Sequence, residues 1–171
     1  MEITPLINLV IATAILLVAA GTFLGFQMKN LAAELTVLSY KLYFELTRKA
    51  DLLPQIIEKL SKYFGRESFD ELIAARADTM AQTTFNAEKK TKEERLWNIF
   101  QGLWENAQDK EEVRKDLVLT ALQKDLNEAD ARIVGVRNAY NLTAKKYNNL
   151  AGNFLLKPVV LIIKARKIES F

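Results

Sequence analysis

A stretch of 26 residues without a charged side chain, Ile3–Met28, lies between Glu2 and Lys29 near the start of the chain. At a rise of about 1.5 Å per residue, a helix of this length extends about 39 Å, enough to cross the roughly 30 Å of hydrocarbon in a bilayer. The stretch predicts a transmembrane anchor over residues 1–28, in contact with membrane lipid. This anchor limits the rest of the chain to folds that begin at a membrane surface.

A cleaved secretory signal is the alternative interpretation of this stretch, with cleavage after Ala20. The segment lacks the Lys- and Arg-rich start of such a signal, having only Glu2 before the apolar run. The apolar run also continues past Ala20 through Phe26. Both features favour a retained anchor.

Basic residues follow the predicted span and none precedes it. They are Lys29, Lys41, Arg48 and Lys49. Because basic residues remain on the cytoplasmic side, we expect a single-pass protein of the cell (inner) membrane with a cytoplasmic soluble part. Gly21 and Gly25 are four residues apart near the end of the span, a spacing that allows two helices to approach closely. This pair predicts helix association and a homo-oligomer.

The composition excludes several classes of site. The 24 basic and 21 acidic side chains nearly balance, which argues against a nucleic-acid partner. The chain has no His and no Cys, which excludes histidine-dependent triads, the usual zinc and haem sites, iron–sulfur clusters and thiol chemistry. Paired carboxylates such as Glu111 and Glu112 are typical of helix starts. We therefore predict no enzymatic activity, no cofactor, no metal and no small-molecule substrate.

Apolar residues spaced by three and four predict four helices, of which the first continues directly from the anchor. The first runs from the membrane to Gly65, with a kink near Ala50–Pro54 because proline removes a backbone donor. A capping box of Ser68 and Glu71 opens the second helix, which fades near Asn86, with Lys89 and Lys90 supporting its end. A second capping box, Thr91 with Glu94, opens the third, and the fourth runs from about Glu111 to Leu150.

Short links between these helices predict an all-α fold: the N-terminal transmembrane helix continues into an antiparallel four-helix bundle with long first and last helices. The bundle would cover residues 29–156, followed by a basic and apolar tail over residues 157–171. Trp97 and Trp104 indicate either core packing or a contact with a membrane or partner. The tail either completes the core or lies at an anionic bilayer surface, where its basic residues would bind. These are Lys157, Lys164, Arg166 and Lys167.

The segment Arg48–Ile57 resembles a motif of the LemA family of bacterial membrane proteins, Arg-Arg-x-Asp-Leu-Ile/Val-Pro-Asn-Leu-Val. Here Lys49 and Gln55 replace the commoner Arg and Asn. Three further segments of the chain are similar to the family in order and spacing. Across all four segments, the residues that match the family are Arg48, Asp51, Pro54, Arg76, Arg137, Tyr140, Asn141, Tyr147 and Asn148. The resemblance implies a helical bundle on a membrane anchor with no established enzymatic activity.

Matching the helices by their distance from the membrane predicts Glu45 beside Arg137, and Asp51 beside Arg132, each within about one helical turn. We expect these polar residues to fix helix register, with the Tyr140 and Tyr147 rings packed inward. A ligand or partner groove is the alternative, and truncation of Arg137 would then leave the melting temperature unchanged. For the whole protein we predict a scaffold or adaptor at the membrane. The alternative is a regulatory or substrate-delivery subunit of a membrane enzyme complex, such as a membrane protease.

Overall fold

A computed structural model describes residues 4–82, 87–152 and 167–170, and the predicted all-α class is confirmed: no strand occurs in these ranges. Within these ranges, six α-helices and one short 3-10 helix follow one another. The α-helices are α1 (Thr4–Ala50), α2 (Leu53–Phe64), α3 (Asp70–Ala81), α4 (Ala87–Gln108), α5 (Glu111–Lys115) and α6 (Leu117–Ala151), and the 3-10 helix is Glu67–Phe69. The antiparallel four-helix arrangement stays a prediction.

The N-terminal part of α1 is apolar and exposed. Its most hydrophobic 18-residue window has a mean hydropathy of 2.4, and only 6% of that window is buried within the protein. In the part of the chain that the structure describes, this is the one helix long and apolar enough to cross a membrane. Burial in lipid would cover the side chains that the protein leaves exposed.

The chain forms two compact units. Unit 1 comprises residues 1–38 and 137–171, and unit 2 comprises residues 39–136. In unit 1, Met28 and Leu35 on α1 pack with Tyr140, Ala144 and Tyr147 on α6. The apolar core of unit 2 draws on every helix from α1 to α6. Its fully buried members include Leu53, Ile56, Leu60, Leu72, Leu96, Val113 and Leu119.

The predicted kink at Pro54 is a complete break in the helix. Helix α1 ends at Ala50, two turn residues follow, and α2 begins at Leu53 with Pro54 in its first turn. A proline suits this position because the first amides of a helix have no partner within the helix. Helix α2 ends at Phe64 as predicted. Gly65 follows with φ 78° and ψ 154°, a conformation that residues with a side chain rarely adopt.

Both predicted capping boxes are wrong. The Ser68 hydroxyl donates to the carbonyl of Phe64, 3.0 Å away, and so binds the end of α2 instead of the start of α3. Helix α4 begins at Ala87, which places Thr91 inside the helix. The fourth predicted helix is divided into α5 and α6 at Asp116.

Candidate interaction site

Charged side chains join α1 to α6 inside unit 2. Arg132 donates through Nε to Glu45 Oε2 at 3.0 Å, and Glu45 is buried. One turn further along α1, Lys49 Nζ lies 2.6 Å from Asp130 Oδ1. Glu45 therefore pairs with Arg132 instead of the predicted Arg137, and Asp51 pairs with Arg76 instead of Arg132. The observed partner of Glu45 is five residues earlier on α6 than the predicted one.

Trp97 lies between an ammonium and a carboxylate. Lys49 Nζ is 3.6 Å from the centroid of the indole ring, close enough for a cation–π interaction. On α4, the Trp97 Nε1–H group donates to Glu93 Oε2 at 3.0 Å. Trp97 is half-buried and packs against the apolar core, so its indole is part of the unit's packing.

Lys89 holds the end of α3 from the neighbouring helix α4. Its ammonium donates to the carbonyl oxygens of Gln82 at 2.7 Å and Thr79 at 3.2 Å, and lies 4.4 Å from the Tyr43 ring centroid. The side chain is fully buried. Burial lowers the pKa of Lys89, and the nearby Glu93 carboxylate opposes that change. The sequence identified Lys89 as a mark of this helix end, but not its place in the next helix.

A cavity of about 230 Å³ opens beside Lys49, Trp97 and Asp130 in unit 2. Phe100 packs edge-on to Trp97 and stacks on Trp104, with ring centroids 5.6 and 5.8 Å apart. Gln123 also lines the cavity. Its amide nitrogen donates to Asn127 Oδ1 at 3.2 Å, and its Oε1 is buried without a hydrogen-bond partner. An acceptor of this kind is costly to leave unpaired. The cavity therefore presents aromatic surface beside polar side chains, and we call it the tryptophan pocket.

Arg76 closes the break between α1 and α2. Its Nε donates to the carbonyl of Ala50 at 2.9 Å, and its Nη2 to Asp51 Oδ1 at 2.9 Å. In a continuous helix the Ala50 carbonyl would accept the amide of residue 54, but Pro54 has no amide hydrogen. The structure thus brings Asp51, Pro54 and Arg76 together, three residues predicted from two separate sequence segments. Pro54 and Arg76 also line a second, more apolar cavity of about 360 Å³.

Asp116 begins α6 and ties it to α2. Its Oδ1 accepts the amides of Val118 at 2.8 Å and Leu119 at 3.1 Å, and its Oδ2 accepts the Tyr63 hydroxyl at 3.2 Å. The hydrogen bond from the Leu119 amide, followed by that from Val118, holds the pKa of Asp116 below its usual value. Sequence reasoning missed this cap, although an aspartate immediately before an apolar helical repeat is a typical N-cap.

In unit 1, the Tyr140 and Tyr147 rings are buried as predicted, with 7% and 6% of their surfaces exposed. Burial raises the pKa of the Tyr140 hydroxyl. Asn148 binds the backbone of Ile168 in both directions: its amide nitrogen donates to the carbonyl at 2.7 Å, and its Oδ1 accepts the amide at 2.9 Å. These two hydrogen bonds hold the described part of the tail against α6.

Other predicted site residues lie apart from these contacts. Arg48, Arg137 and Lys167 are exposed, and Gly21 and Gly25 are half-buried. Lys157, Lys164 and Arg166 lie outside the described residues, so the alternatives for the tail stay open. Within residues 4–82, 87–152 and 167–170, no group of three or more acidic side chains is arranged to hold a metal ion.

These features define a class: an all-helical protein whose first helix can cross a membrane and whose helices are joined by buried charged and aromatic contacts. The sequence model of the LemA family matches residues 40–171, well over half of the chain. The chain belongs to the LemA family. The predicted anchor lies before the matched region, and no curated protein matches the sequence at a significant level.

Proposed function

We propose that this LemA-family protein is a non-enzymatic, membrane-anchored adaptor or scaffold that binds a protein partner at the tryptophan pocket. Helix α1 would cross the cell membrane once, and the basic residues that follow its apolar part favour a cytoplasmic location for the helical units. The charged pairs Glu45–Arg132 and Lys49–Asp130 bind helices to each other, which supports a structural role for them in preference to a catalytic one.

The tryptophan pocket is the observation that carries the proposal. Tryptophan is enriched among the residues that contribute most to protein–protein binding, and Trp97 and Trp104 both line the pocket. The Lys49–Asp130 pair at the wall of the pocket provides polar groups at its rim. An apolar partner segment with polar groups at its edge therefore fits the pocket best.

Site-specific photo-crosslinking of the full-length protein in its native membranes tests the proposal. A photoreactive amino acid would replace Gln101 or Asn127, two exposed residues that line the pocket. The matched control places it at Lys146, an exposed residue of α6 in unit 1. We expect one dominant protein adduct from the pocket positions, weaker by severalfold when Trp104→Ala is added, and none of it from Lys146.

Identical adducts from the pocket and control positions, or none from the pocket, would overturn the proposal. The identity of the adduct, read by mass spectrometry, separates the two roles. A stoichiometric membrane enzyme would indicate a regulatory or delivery subunit. A non-enzymatic partner would support the adaptor.

A further inference from the structure

Helix α1 carries a second apolar surface on the side opposite its packed face. Met28 and Leu35 point into unit 1, with 1% and 4% of their surfaces exposed. The opposite side carries residues alternately three and four positions apart, all exposed. We call this set the exposed stripe, and its members are Phe23, Phe26, Asn30, Ala33 and Val37.

The spacing of the exposed stripe averages 3.5 residues, the repeat that brings the same face of two helices together along their length. In the sequence, the same repeat continues toward the N-terminus through Leu16 and Leu9. Toward the C-terminus it continues through Tyr40 and Phe44. The exposed fractions of Tyr40 and Phe44 are 72% and 60%. Lipid would cover the stripe before Lys29, but Ala33 and Val37 lie beyond the apolar span, where water would otherwise meet them.

We infer that the exposed stripe is a dimer interface and that its partner is a second copy of α1 in parallel orientation. A membrane anchor inserted in one direction holds all copies parallel and at the same depth, which is the arrangement that an in-register coiled coil requires. This inference rests on α1 being the anchor of the proposed function. It replaces the Gly21 and Gly25 pair with a different face of the same helix.

Two polar features of the stripe fit a second copy. Asn30 occupies one core position, and a single asparagine there can pair with its counterpart and so fix register in a parallel dimer. At the flanks, Lys29 of one copy would face Glu34 of the other, because flanking positions five residues apart meet in parallel coiled coils. Glu34 is already held in place, since its Oε1 accepts the Thr143 hydroxyl at 3.0 Å.

Cysteine scanning tests the interface directly, because the natural chain has no Cys. Single cysteines at each position from 21 to 44 would be introduced into the full-length protein, purified and reconstituted into liposomes with no other protein present. After mild oxidation, we expect disulfide dimers to peak at positions 23, 26, 30, 33, 37, 40 and 44, severalfold above the positions between them. Leu142→Cys, an exposed apolar position on α6, is the control for random collision.

A charge exchange provides the second test. In the Val37→Cys background, Lys29→Glu places like charges opposite each other and should lower the dimer yield roughly two- to fivefold. Adding Glu34→Lys should restore it. A flat cysteine profile, a maximum at positions 21 and 25, or no rescue by the second charge change would overturn the inference. These outcomes are independent of the pocket adducts, since the liposomes contain no partner.

Discussion

Arg76 occupies the place of a missing backbone amide at the break after Ala50. Its guanidinium supplies both the donor that Pro54 lacks and a partner for Asp51. The sequence identified all three residues from their resemblance to family segments, but not their contact, because 25 residues separate Arg76 from Asp51 along the chain. Contacts between distant residues depend on how α3 folds back, which local spacing does not encode.

We expect Arg76→Met to lower the free energy of unfolding by about 1–3 kcal/mol, since it leaves the Ala50 carbonyl without its donor. Asp51→Asn keeps an acceptor for the guanidinium and loses only an exposed ion pair, so its effect should be below about 1 kcal/mol. Urea denaturation in detergent, followed by circular dichroism, measures both. Equal losses for the two variants would contradict this role for the Ala50 carbonyl.

Asp116 gives the stability a dependence on acid pH. Its pKa in the folded protein lies below 3.8, so the unfolded chain binds the proton more tightly. The stabilisation from Asp116 is therefore complete above pH 3.8 and is lost as the pH falls through the folded pKa. Asp116→Asn should be less stable than the natural protein at neutral pH, and the difference should shrink as the pH falls below 3.8. A difference that stays constant with pH would show that the charge has no part in the cap.

At the scale of the helices, apolar spacing and turn residues predicted the ends better than the starts. Gly65 was predicted as the end of α2 because a glycine after a long apolar repeat is a strong local signal. Helix α3 begins at Asp70, close to the predicted start, but the predicted cap is wrong because Ser68 binds the preceding helix. The start of α4 was missed, since this helix begins four residues before Thr91. A serine or threonine signals a cap only if its side chain turns toward the following helix, and tertiary packing decides that.

Two glycines on different elements should respond to alanine in opposite ways. Gly65→Ala places a side chain in a backbone conformation with φ 78° and ψ 154°, and should cost about 1–3 kcal/mol. Gly135→Ala, within α6 and with open space around the added carbon, should stabilise the protein by about 0.5–1 kcal/mol. Thermal denaturation of both variants checks the pair. A stabilising Gly65→Ala would contradict the positive φ at this position.

Two arginines on α6, Arg132 and Arg137, should differ in their contribution to stability. Arg132→Met leaves the buried Glu45 carboxylate without its guanidinium, which should cost about 1–3 kcal/mol after allowance for the partial exposure of Arg132. Arg137→Met removes an exposed side chain, and its effect should stay within about 0.5 kcal/mol. Chemical denaturation of the two variants decides whether Arg132 or Arg137 fixes the register. A larger loss for Arg137→Met would return to the pairing predicted from the sequence.

At the scale of the whole molecule, the orientation in the membrane is the main remaining prediction. Lys124→Cys introduces a thiol at an exposed position of unit 2, and Glu2→Cys introduces one before the span. We expect a membrane-impermeant maleimide to label position 2 in intact cells, and position 124 only after permeabilisation. The reverse pattern would place the helical units outside.

Met28 is the last residue of the uncharged stretch and also belongs to the core of unit 1, where it packs with Tyr140, Ala144 and Tyr147. A sequence-based design for a soluble fragment would cut the chain at Lys29, the first charged residue. That cut would remove the Met28 side chain, of which only 1% is exposed, and leave a cavity between α1 and α6. A fragment intended to behave like the natural protein must therefore keep at least one helical turn of the apolar stretch, together with a detergent or a fused helix to cover it.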